Sequence, residues 1–116
     1  VFDAINFGFS VRKALRLKEE DMQFRKIHIK AHTKRTLEII RSRLIGKEGK
    51  TRKVLSEISG SDILIREGEV GVIADAEAIL DVETAIINLI KGSKQSNMYR
   101  YLERMNREKK KYFFSK

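Results

Sequence analysis

Two glycines stand three residues apart in Leu44-Ile45-Gly46-Lys47-Glu48-Gly49-Lys50-Thr51, directly after one apolar helical run and directly before another. Nothing else in the 116 residues restricts the fold as tightly. Glycine lacks a Cβ, so it takes the positive φ of a tight turn and lets another backbone come close. A helix that begins just past Gly49 directs free N–H groups and the positive end of its dipole at whatever approaches, which suits a phosphate. The alternative is an ordinary corner between two helices. The surrounding pattern decides between the two.

Val1 to Asp21 reads as helical, with Ser10 as an N-cap before Val11, Ala14 and Leu15. Phe24 to Lys30 alternates, setting Ile27 and Ile29 against Lys26, His28 and Lys30, the pattern of a strand half exposed to water. Thr33 to Ile45 takes the helical period through Leu37, Ile40 and Leu44, and Gly46 ends it. Lys50 to Ser59 is a second helix, with Val54, Leu55 and Ile58 on one face and Gly60 at its stop. Asp62 to Arg66 and Val70 to Ala74 form a hairpin about Glu67-Gly68-Glu69. Asp75 to Ile90 is a strong helix closed by Gly92. Ser96 then caps a last helix striped with Met98, Tyr101, Leu102 and Met105, beyond which lie Lys109-Lys110-Lys111 and Tyr112-Phe113-Phe114. The order predicts an α+β domain, a three-stranded antiparallel sheet with helices on one face. Residues 1–22 are expected as a helical extension, 23–92 as the domain and 93–116 as a basic C-terminal helix and tail.

Charge bears on the partner. The net charge is +9, distributed as +8 over residues 1–60, −5 over 61–93 and +6 over 94–116. A basic, acidic, basic order with the glycine loop inside the first basic block favours a polyanionic partner. Without cysteine there is no disulfide framework, zinc knuckle or thiol chemistry. No run of about 18 apolar residues appears, so no membrane partner is expected, and a cytoplasmic location is. The chain does not begin with Met and is expected to continue upstream.

The spacing then becomes specific. Ile45-Gly46-Lys47-Glu48-Gly49-Lys50-Thr51, followed by Ser59-Gly60 and Ile63-Leu64-Ile65, resembles the I-G-x-x-G-x-T … T-G-x-x-I-x-I pattern of type I KH domains. Gly8 to Leu17, Arg43 to Arg52 and Met98 to Arg104 are similar to archaeal Dim-two-like proteins, relatives of the partner-of-Nob factors of small-subunit ribosome assembly. That resemblance spans nearly the whole chain and identifies it with the downstream, GxxG-bearing KH domain, an upstream KH domain being missing. It implies binding to pre-ribosomal RNA near the small-subunit 3′ end. It also implies work beside a PIN-domain endonuclease and links to an initiation factor.

In a KH domain the GxxG loop clamps the backbone of single-stranded nucleic acid. The resemblance puts the RNA backbone on Gly46 and Gly49, with charge from Lys47, Lys50 and Arg52 and hydrogen bonds from the amides of Lys50 and Thr51. Bases would turn onto Ile45, Val54, Leu55, Ile63, Leu64 and Ile65. Two residues depart from the usual pattern. Glu48 puts an acid in the loop, where it opposes phosphate or caps the next helix, and Arg52 replaces an aliphatic residue. The strands lack a row of Phe or Tyr, which disfavours an aromatic stacking platform. Arg100, Arg104, Arg107, Lys109, Lys110 and Lys111 offer a second surface for RNA or a partner.

Other clusters read more plainly. His28 lies on a strand and His32 past its end, so their spacing suits no metal pair. Asp75, Glu77, Asp81 and Glu83 follow the polar face of a helix. No nucleophile–base pair can be assembled, so neither an enzyme nor a cofactor is expected. An RNA-binding assembly factor is the first expectation and a protein-interaction scaffold the second. A generic KH module for mRNA or transcription is the third, and the family-like extensions oppose it.

Overall fold

The computed structural model describes the backbone of residues 1–114 and the side chains of residues 1–107. In chain order the elements are α1 (Phe2–Phe7), α2 (Val11–Ala14), β1 (Met22–His28), α3 (Leu37–Ile45), α4 (Lys50–Ser59), β2 (Asp62–Ile65), β3 (Glu69–Asp75), α5 (Ile79–Lys91) and α6 (Gln95–Phe114). The sheet is antiparallel in the order β1-β3-β2, with Ile27 opposite Val70 and Ile63 opposite Val72. Because side chains alternate along a strand, Ile27, Ile63, Val70, Val72 and Ala74 share one face. There they meet Ile40 and Leu44 of α3, Leu55 of α4 and the buried stripe of α5 from Ile79 to Ile90. Each fully buried Ile, Leu or Val there contributes about 1.5–3 kcal/mol. The expected three-stranded sheet with the domain's helices on one face is what forms.

The opposite face is not left to water. Gly71 and Ile73 of β3, Phe24 of β1 and Leu64 of β2 lie on it, and the N-terminal segment covers them with Phe7, Phe9, Ala4 and Ala14. Phe24 is therefore a strand aromatic, yet it offers no stacking platform. Its ring packs edge-on to Phe7 and Phe9 at centroid distances of 5.8 and 5.9 Å. A Cβ on Gly71 would stand 2.5 Å from Phe7 Cε1, so the ring can lie on the strand only because that residue has no side chain. Lys26 and His28, farther along β1, are exposed as the alternation predicts.

The extension is also not one helix over residues 1–21. It breaks at Gly8-Phe9-Ser10 into two short helices followed by a 3₁₀ turn at Leu15–Lys18. The expected cap holds, for Ser10 Oγ accepts from the Lys13 amide at 3.2 Å. Arg16 fastens the segment to the edge strand, donating to Asp62 Oδ2 at 2.6 Å and to the Gly60 carbonyl at 3.3 Å.

Local side-chain bonds explain the other shifts in element ends. Helix α3 starts at Leu37, four residues late, because Thr33 Oγ1 takes the Arg35 amide and makes a turn instead. Likewise α5 starts at Ile79 because Asp75 Oδ1 holds the Ala78 amide at 2.8 Å. Strand β1 runs Met22–His28 and gives way to a 3₁₀ turn at Ile29–Ala31. Helix α6 begins at Gln95, its first amides taken by the Lys94 carbonyl, so Ser96 lies inside the first turn and not at the cap. It continues to Phe114, past its expected end. The predicted stripe does dock it on α5 and α4, with Met98 and Leu102 buried and the Asn106 amide donating to the Ile58 carbonyl. Among the described residues no helix is long and apolar enough to cross a membrane.

Candidate nucleic-acid interface

Helix α3 delivers the chain to Gly46 and α4 takes it up again at Lys50, so packing of Ile40, Leu44 and Leu55 sets where the loop sits. Gly46 (φ 76°), Glu48 (φ 56°) and Gly49 (φ 75°) all lie at positive φ. The two glycines do different work. A Cβ on Gly46 would stand 2.1 Å from Thr51 Oγ1 and 2.8 Å from the Thr51 amide nitrogen, so Gly46 closes the loop against the chain itself. A Cβ on Gly49 would meet nothing within 4 Å, which leaves that side open to an incoming backbone. Glu48 is a non-glycine residue in the left-handed region, a strain of about 1–2 kcal/mol that the flanking glycines do not relieve.

Three expectations about this loop change. Glu48 does not cap the following helix: Gly49 stands at the N-cap with no side-chain bond. The Lys50 amide is not on offer, since it donates to the Lys47 carbonyl. Thr51, 6% exposed, is packed against Gly46. What the loop presents outward is the exposed side chains of Lys47, Glu48 and Lys50 and the bare face of Gly49.

Beside the loop runs a groove of ≈ 430 Å³. Ile45, Gly49 and Arg52 form one side of it, and Ile63, Leu64 and Ile65 of the edge strand form the floor. Ile45 is 37% exposed, an apolar surface available to a base. Leu55 does not belong there. At 2% exposure it is part of the core, and its neighbour Val54 is half-buried and does not line the groove. The far side is built from Gly8, Phe9, Ser10 and Lys13, which sequence reasoning missed. The Gly8 to Leu17 segment carries part of the family resemblance, but nothing local gives it a place in the groove, because it arrives there only through the docking of the extension.

Among the described residues Lys13, Lys47, Lys50 and Arg52 form no ion pair, whereas Arg16 is paired with Asp62 and Arg25 with Glu83. Glu83 and Asp75 thus have structural duties beyond a solvated helix face. His28 is exposed, its Nδ1 3.6 Å from Glu69 Oε2. Arg100, Arg104 and Arg107 are exposed and border a surface depression of ≈ 290 Å³ with Asn97 and Tyr101. Partial burial, and then the nearby Asp81 carboxylate, raise the Tyr101 hydroxyl above the usual tyrosine pKa. The side chains of Lys109, Lys110 and Lys111 lie outside the described residues.

A three-stranded sheet, three helices on one face and a GxxG corner between two of them define a type I KH domain. Residues 22–107 match the family model of the second KH domain of PNO1-type proteins, described as a eukaryotic-type KH domain, type I, and the chain belongs to that family. It is 26% identical over 113 residues to the KH domain-containing protein MJ0443 of Methanocaldococcus jannaschii, covering 96% of this chain and 50% of that protein. Among solved structures it resembles the Aeropyrum pernix protein APE0754, of unknown function, at 36% identity and TM-score 0.87, covering 94% of this chain and 59% of that one. It also resembles Dim2p of Pyrococcus horikoshii, at 36% identity and TM-score 0.81, over 87% of this chain and 60% of that one. A Pyrococcus horikoshii complex of a/eIF2alpha, aDim2p and rRNA matches at 34% identity and TM-score 0.80, over 87% of this chain and 56% of that one. The chain therefore spans half to three-fifths of the length of these relatives.

Proposed function

We propose that this chain binds single-stranded RNA in the groove between the GxxG loop and β2, and that it serves in maturation of the small-subunit rRNA 3′ end during ribosome assembly. The observation that carries the reading is the groove itself. An open glycine and cations unpaired among the described residues stand on one side, and an apolar floor ends at the free edge of the sheet. Phosphates lie along Gly49 within reach of Lys47, Lys50 and Arg52. Bases settle on Ile45 and Ile65, where the outer backbone edge of β2 meets their polar edges. The likeness to a Dim2p seen with rRNA supports the choice of rRNA over other RNA.

A test is to measure affinity for short oligomers of the rRNA 3′ end after replacing Lys47→Asp together with Glu48→Asp. Replacing the loop cation by a second acid removes attraction and adds repulsion, which weakens binding at least about tenfold with the fold intact, and log K falls with log salt at a slope near −2 for three phosphate contacts in the unaltered protein. Unchanged affinity contradicts the reading.

The same Pyrococcus complex includes a/eIF2alpha, which favours a second reading in which the domain also docks a protein factor or a PIN-domain endonuclease. The exposed Arg100, Arg104 and Arg107 ridge of α6 is the surface for that contact. A salt slope near zero for RNA would make docking the main role.

A further inference from the structure

The groove has a second wall, and its chemistry is one-sided. The extension runs along β2 in the opposite direction. At one end Gly8 lies against Leu64 and Arg66, where a Cβ would stand 2.6 Å from Arg66 Nη1. At the other end Arg16 is tied to Asp62 and Gly60. Between those fixed points Ser10 and Lys13 face the groove opposite the GxxG loop. The Phe9 ring, 5% exposed, is spent on Phe7 and Phe24, so the wall has no aromatic surface to give.

What it has is donors. The Lys13 ammonium only donates and is unpaired among the described residues. Ser10 Oγ accepts from the Lys13 amide and keeps its hydroxyl hydrogen to donate into the groove. The Arg66 guanidinium at the end of the wall likewise only donates. The loop side, with Lys47, Lys50 and Arg52, takes the phosphates, so the edges of the bases reach this side.

Resting on the RNA-binding reading above, we infer that the Ser10–Lys13 wall is a specificity element that selects keto bases, uracil or guanine, at the position opposite the loop. Uracil O4 and guanine O6 accept a hydrogen bond, whereas cytosine N4 and adenine N6 are amino donors that would face the Lys13 ammonium donor to donor.

Length-matched oligo(U) and oligo(C) separate these cases, because the two bases share backbone and size and differ only on the Watson–Crick edge, keto against amino at C4 and N–H against a lone pair at N3. Fluorescence anisotropy with the unaltered protein is expected to show oligo(U) bound about tenfold more tightly. Lys13→Ala, an exposed position with the cap bond left in place, is expected to bring that ratio near one, with the salt slope unchanged. Equal binding of both oligomers by the unaltered protein overturns the selectivity and leaves RNA binding standing. An undiminished ratio in Lys13→Ala also overturns it. So does an equal loss for both oligomers with the slope reduced by about 0.7, which would make Lys13 a phosphate contact. Binding of neither oligomer overturns the RNA reading and the inference together.

Discussion

The two walls of the groove are built by different means. The loop wall comes from contiguous residues: Gly46 and Gly49 turn the chain and α4 fixes the exit, so its form is written locally. The facing wall comes from Gly8 to Lys13, brought there by an aromatic cluster on the back of the sheet and by an ion pair between residues 46 apart in sequence. A motif search finds the first and cannot find the second. The comparison teaches that the wall proposed to take phosphates is set by local geometry, while the wall proposed to meet the bases depends on tertiary docking of a segment outside the glycine motif.

Three substitutions probe that division. The largest effect is expected for Gly46→Ala. The new methyl would overlap Thr51, backbone included, at a positive φ, and the domain should lose about 2–4 kcal/mol in urea unfolding. Gly71→Ala comes next. Its methyl would drive Phe7 off the sheet at a cost of about 1–3 kcal/mol. Because the extension is loosened while the loop is untouched, base preference should fall and the salt dependence of RNA binding should hold. Gly49→Ala is the mildest for the fold, about 1 kcal/mol of left-handed strain with nothing to strike. It should nonetheless weaken RNA binding, since the methyl enters the space left for phosphate. If Gly46→Ala and Gly49→Ala destabilise equally, the separate duties assigned to the two glycines are wrong.

Much of this was legible in the sequence because single-element periodicity reports which side is apolar. Ile40, Leu44, Leu55 and the α5 stripe were placed correctly on helices, and the interval from the loop to Gly60 and Ile63 located the edge strand. Periodicity does not say what an apolar side faces. Leu55 and Val54 adjoin on α4, and only packing decides that Leu55 enters the core while neither lines the groove. Thr51 reads as polar and is buried, because Gly46 admits it. Lys50 looked like a source of a free amide until the loop's own turn consumed it. The back of the sheet was the hardest to see, since Phe24 finds its partners Phe7 and Phe9 on either side of a helix break that a helical reading of residues 1–21 smooths over.

The central claim is that RNA lies between both walls. Amide chemical-shift mapping of the intact chain during titration with a short uridine-rich oligomer tests it most directly. The account predicts shifts in two blocks at once, Gly46 to Arg52 and Gly8 to Lys13, joined through Ile63 to Ile65 of the floor. Shifts confined to α6 around Arg100 to Arg107, with both walls silent at saturation, would contradict it.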